Sequence, residues 1–144
     1  MVEDIAVSAP EAELIAALTT AMAGDAAVMA VLGDPVRIFA ERSRSAAYPH
    51  ASWGRSETLA RDADDVTLIE HRLTLEIWCR DSDAHAITGQ LREALRGLDP
   101  DLPAPWTLVL LAPAYSDVFA TRDRRVKRGI IRLRAVMGRH SPAS

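Results

Sequence analysis

The sequence predicts an α+β domain: a mostly antiparallel sheet with helices packed on one face and a long β-hairpin arm. Three observations predict it. Apolar residues recur at helical spacing up to Leu32 and at a period of two from Val36 onward. Turn signals then divide the chain into segments in the order ααβ(β)βαββ. Finally, 144 residues with a single cysteine, Cys79, suit one domain spanning 1–144 that needs no disulfide, with 1–8 and 138–144 expected as flexible tails.

Each element has a local reason. Ser8 is placed to cap the first helix, Pro10 fits its first turn, and Glu11, three residues on, completes a capping box. That helix runs to about Ala23 behind the stripe Leu14, Ile15, Leu18 and Met22. Gly24 ends it. Asp25 then caps a short second helix carrying Val28, Met29 and Leu32, which Gly33 stops at a left-handed position, giving a helical hairpin. Alternation over Val36 to Glu41 predicts a half-buried strand, residues 43–49 a connection, and His50 to Trp53 a short strand closed by Gly54. Arg55 to Asp65 is polar and aperiodic and reads as a mobile loop. Val66 to Arg80 is the strongest strand: Leu73, Leu75, Ile77 and Cys79 share one face, while Arg72, Thr74, Glu76 and Trp78 share the other. Asp81 or Ser82 caps a helix over Asp83 to Leu98 with Ile87, Leu91, Ala94, Leu95 and Leu98 inward. The proline-rich run 99–105 turns the chain. Trp106 to Leu111 and Ile130 to Met137 are strands flanking the arm 112–129, and the chain from His140 is expected to be disordered.

Charge is divided along the chain. Residues 1–35 hold Glu3, Asp4, Glu11, Glu13, Asp25 and Asp34 without a single Lys or Arg, whereas residues 122–144 hold seven arginines and Lys127 against Asp123 alone. Such polarity can pair the ends within one molecule, pair neighbours head to tail, present a basic face to nucleic acid, or simply be solvated.

Reactive constellations do not emerge. His50, His71, His85 and His140 lack metal-ligand spacing, Cys79 continues the inward face of its strand, and Asp62, Asp64 and Asp65 lack the glycine and glutamate of a calcium loop. There is no GxSxG elbow, no phosphate-cradling glycine cluster, and no segment of about 18 apolar residues to span a bilayer. The chain reads as soluble, with no enzyme activity, cofactor, metal or membrane expected. Two features stand out. Trp78 lies on the outer strand face, where another helix or another subunit is expected to cover it. The run Thr121 to Arg128 sits at the tip of the arm, where it makes few contacts of its own, and Tyr115 and Phe119 precede the basic run rather than interrupting it.

The helical pair with Gly24-Asp25-Ala26-Ala27-Val28 and Val31-Leu32-Gly33-Asp34 is followed by Val36-Arg37-Ile38-Phe39 and Tyr48-Pro49-His50-Ala51. With the Leu73 to Arg80 strand, the helix after it and the closing Gly129 to Ala135 strand, this order resembles the tail-completion family of phages with long non-contractile tails over about residues 11–137. Within that family the chain is most similar to the version in bacterial gene transfer agents, although Arg124 and Arg125 stand where relatives often have a glycine-containing turn. The resemblance implies a tail terminator made in the bacterial cytoplasm and built into the particle. It would form a ring, six-fold in known relatives, on the head-proximal end of the tail tube. The ring stops tube growth, docks a head-side stopper or neck protein, and leaves a channel through which DNA passes only as cargo. On that view Trp78, Arg122, Arg124, Arg125, Lys127, Arg128, Arg132 and Arg134 are expected at a subunit or ring interface. A small nucleic-acid-binding protein using the basic arm, another neck or stopper component, and a tube subunit are the alternatives.

Overall fold

The computed structural model describes residues 9–140. In chain order the elements are α1 (Pro10–Ala23), α2 (Ala26–Leu32), β1 (Ile38–Phe39), β2 (His50–Ala60), β3 (Val66–Arg80), α3 (Ala84–Arg96), β4 (Thr107–Ala120) and β5 (Val126–His140). The strands form one sheet in the order β1-β2-β3-β5-β4, in which β1 runs parallel to β2 and every other pair is antiparallel. The architecture is α+β, as expected.

Strand alternation assigns the two faces. Leu73, Leu75 and Ile77 of β3 and Ile131, Leu133 and Met137 of β5 form one buried cluster with Leu14, Leu18 and Met22 of α1, Val28 and Leu32 of α2, and Leu91 and Leu95 of α3. Each such side chain contributes roughly 1.5–3 kcal/mol by leaving water. All three helices therefore cover one face, and the even-numbered residues of β3 and β5 point to the other. Gly129 fixes the helix distance: a Cβ there would collide with Thr88, so α3 lies directly on β5.

Several boundaries differ from the sequence expectation, each for a physical reason. Helix α1 has Ala9 at its N-cap with no side-chain bond, while Ser8 lies outside the described residues. The axes of α1 and α2 meet at 83°, a corner rather than a hairpin. Asp25 does cap α2, accepting from the Val28 amide at 3.0 Å, and Gly33 has φ +87°. For α3 the cap is Asp83, which accepts from the His85 and Ala86 amides, rather than Asp81 or Ser82. The strand expected over Val36 to Glu41 shrinks to β1, because only Ile38 and Phe39 reach the ladder beside Ala51 and Ser52. Conversely, β2 runs straight through the expected mobile loop: Ser56 to Ala60 pair with Ile69 to Leu73 after a register shift between Trp53 and Ser56. Its polar composition reflects exposure of the side chains there, while the backbone remains bonded. Residues 138–140, expected in a flexible tail, are the end of β5 and pair with Val66, Thr67 and Leu68. The arm 112–129 is not a projection. Its first part is the end of β4, and its last residues, Val126 to Gly129, begin the central strand β5, paired to β3 on one side and β4 on the other.

Candidate interaction face

The helix-free face is a lattice of cross-strand rows. Trp78, Arg128 and Phe119 form one row across β3, β5 and β4, and Thr74, Arg132 and Tyr115 form another. Arginines and aromatics are thus interleaved in space although they are separate in sequence. The Arg128 guanidinium carbon lies 5.3 Å from the Trp78 ring centroid and 5.2 Å from that of Phe119, and Arg132 lies 5.6 Å from Tyr115. Each contact contributes about 0.5–1 kcal/mol where exposed.

Trp78 is only 7% exposed. Its cover within the chain is not a helix but side chains of the sheet and of the connection before β2. Arg42, from the connection before β2, stacks on the indole at 4.1 Å, Arg128 flanks it, and the indole Nε1 donates to Ser52 Oγ at 3.0 Å. Arg128 is itself held by an ion pair with Glu76.

At the other end of the face Glu70, 3% exposed, is gripped by three guanidiniums. Arg72 Nε lies 3.0 Å away, and Arg61 Nε and Arg134 Nε lie at 3.2 Å. Hydrogen bonds from Arg134 and then Arg72 stabilise the carboxylate and pull its pKa down to about 2. Between these ends is a cup of about 120 Å³ into which Arg55, Arg72, Arg132 and Arg134 converge over Thr74 and Tyr115. Tyr115 and Phe119 remain 51% and 39% exposed beside this polar ground.

Lys127 and the tip of the β4–β5 hairpin stand apart from that face. Arg122 and Arg124 are exposed, but Arg125 Nη2 donates to Asp81 Oδ2 at 2.9 Å, tying the turn to the β3–α3 corner. The Arg125 guanidinium lowers the Asp81 pKa, and Asp81 raises that of Arg125. Lys127, one residue from Arg128, faces the opposite way and borders a depression with Asp81, Asp83 and Arg124. Of the eight residues singled out from sequence, Trp78, Arg128, Arg132 and Arg134 therefore share the open face, while Arg122, Arg124, Arg125 and Lys127 gather at the hairpin end. Sequence reading missed Arg42, Arg55, Arg61, Glu70, Tyr115 and Phe119 as members of the face. Tyr115, Asp117 and Phe119 carried a signal: they alternate, as partners on one strand face must.

Other buried titratable groups lie outside the cup: His71 and Cys79 point toward the helix layer, and His50 is the cross-strand partner of Trp78. Burial lowers the pKa of His71 and of His50, and neither Nε2 has a hydrogen-bond partner. Burial, with the charge of Asp83 second, raises the Cys79 thiol to about 11, far from a nucleophile's range. Outside α1 a groove of about 370 Å³ is bordered by Glu13, Asp99 and Asp101, with no basic residue in its lining. Among the described residues no three His, Cys, Asp or Glu side chains are grouped to hold a metal ion, and no single helix is long and apolar enough to cross a membrane.

The family model described as Tail completion protein gp17 matches residues 16–138. Among solved structures, the chain is similar to one from the "Virion of native gene transfer agent (GTA) particle", with a TM-score of 0.75 and 16% identity, covering 90% of this chain and 98% of that one. At that identity the likeness is one of fold. No curated protein matches the chain.

Proposed function

The chain belongs to the tail completion protein gp17 family, and from that premise we propose that it is the tail terminator of a phage-like particle of the gene-transfer-agent kind. A structural role in tail completion goes with the family; the rest is our reading. Copies form a ring on the head-proximal end of the tail tube, a hexamer as the resemblance implies. One surface accepts the last tube ring, the other accepts a head-side neck protein instead of another tube subunit, and the central opening passes DNA. The action is contact between shaped surfaces, with no bond made or broken.

The observation that carries this reading is the family match over 16–138. The sheet adds support: one face is wholly committed to the core, and the other is left open with arginines and aromatics. A molecule whose open face and helix layer carry unlike charge is suited to heterologous contacts, in which one patch meets a different patch on a neighbour. Electron microscopy of particles produced without this protein tests the proposal. Overlong or headless tails are expected, and normal tails on filled heads contradict it.

A second reading is favoured by the interleaving of Arg128 and Arg132 with Phe119 and Tyr115, which resembles a single-strand-binding surface. A salt-sensitive gel shift of DNA by the purified protein, with no particle component present, would select it. Rings that form without DNA and leave its mobility unchanged would remove it.

A further inference from the structure

We propose that the arginine cup on the helix-free face is a receptor for an acidic side chain of a second copy of this chain, supplied by the Asp99–Asp101 turn. The inference rests on the ring reading above and deepens it by naming the two surfaces that meet.

The cup is built by two faults in the sheet that fall on one transverse line. In β2 the register shifts between Trp53 and Ser56, opposite the stretch of β3 around Thr74. In β4 it shifts between Pro113 and Tyr115, beside Arg132, and Arg132 is the partner of Thr74. Bulges re-aim side chains. Here they border a cup in the middle of an otherwise continuous sheet, with Arg55 on one wall and Tyr115 on the other.

Its lining holds four guanidiniums against a single carboxylate, Glu57. Arg72 and Arg134 are satisfied by Glu70, which shows what this surface does with a carboxylate. Arg55 reaches Glu57 only at 3.7 Å, and Arg132 has an aromatic ring but no ion pair among the described residues. A volume of about 120 Å³ takes one side chain, not a duplex backbone. An incoming carboxylate would be bound by the forked donors of Arg55 and Arg132, with its stem against Tyr115.

The complementary charge lies on the same molecule. Asp99 and Asp101 are exposed on the turn after α3 and, with Glu13, border the groove on the helix layer. That layer is on the opposite side of the sheet from the cup, so no copy can satisfy its own cup, and a pairing between copies joins unlike surfaces. Such a contact propagates from copy to copy and closes as a ring when the rotation permits; it does not stop at a two-fold dimer. The free edge of β4 is a poorer contact, because Pro113 and two register shifts interrupt it.

The test is sedimentation velocity of the full chain in four forms: unaltered, Arg55→Glu with Arg132→Glu, Asp99→Arg with Asp101→Arg, and all four changes together. The unaltered chain is expected to form a closed ring that weakens with salt. Each two-site variant should lose association by roughly 100-fold. The four-site variant, and an equimolar mixture of the two two-site variants, should regain rings, with circular dichroism melts confirming that every form folds. Rings that persist in the Arg55→Glu, Arg132→Glu variant overturn the pairing while leaving the ring reading intact. A lack of rescue assigns the acidic partner elsewhere and also overturns it. Loss of DNA binding by that variant with rings unchanged would make the cup a phosphate site. An unaltered chain that never associates removes the ring reading itself.

Discussion

The two faces of the same pair of strands have been put to opposite uses. On β3 and β5 the odd residues Leu73, Leu75, Ile77, Ile131 and Leu133 disappear beneath three helices, while the even residues Arg72, Thr74, Arg128, Arg132 and Arg134 stay on a face no helix covers. One face spends its residues on hiding from water, and its chemistry is nearly uniform. The other is organised by direction: guanidiniums over rings, guanidiniums around Glu70, and a cup between them. The difference teaches that the fold is held from one side of the sheet, which leaves the other side free for contact with another molecule.

The sharpest contrast is expected between equal truncations on the two faces. Leu75→Ala or Leu133→Ala should cost about 2–5 kcal/mol in denaturant unfolding, since each empties a fully enclosed site. Arg132→Ala, on the open face, should cost less than about 1 kcal/mol. Comparable losses at both positions would break the comparison. Next in size is Gly129→Ala, where the new Cβ meets Thr88 and pushes α3 from β5; about 1–3 kcal/mol should be lost, and Thr88→Ala in the same chain should recover part of it.

The buried imidazoles and the Glu70 cluster should also separate by pH. His50 and His71 have pKa values lowered by burial, with Arg42 and Arg37 adding to the effect at His50 and Glu11 opposing it at His71. The unfolded chain therefore takes up protons near 6.5 that the folded chain refuses, so stability is present above that pH and falls as pH drops below it. Glu70, held at about 2 by Arg134 and Arg72, behaves as a depressed carboxylate: its contribution is present above an unfolded value near 4.5 and lost as pH falls toward 2. Chemical denaturation across pH should show two steps. His71→Gln should shrink the upper one and Glu70→Gln the lower one, and a single shared step would contradict the assignment. The smallest effect belongs to Arg125→Ala, whose exposed pair with Asp81 should leave the melting temperature unchanged.

Legibility in the sequence followed the same division. Strand β3 was readable to both of its ends because one face buries aliphatics, and the Asp25 cap was readable because a helix amide needs a local acceptor. Strand β2 beyond Gly54 was not, since its side chains are exposed and only the ladder to β3 holds it. The helix-free face was half legible. Arg128, Arg132 and Arg134 were visible as alternating charges, but their neighbours Arg42, Arg55 and Tyr115 come from segments whose register no local pattern specifies. Trp78 was recognised as needing cover; that the cover is a pair of arginines depends on Arg42 reaching back over the sheet.

A reconstruction of the intact particle by electron cryomicroscopy tests the account most directly. The account predicts copies of this chain in one closed ring at the head–tail junction, each with its helix-free face buried against a neighbour. Copies placed singly, or a ring in which that face is bathed in solvent, would contradict it.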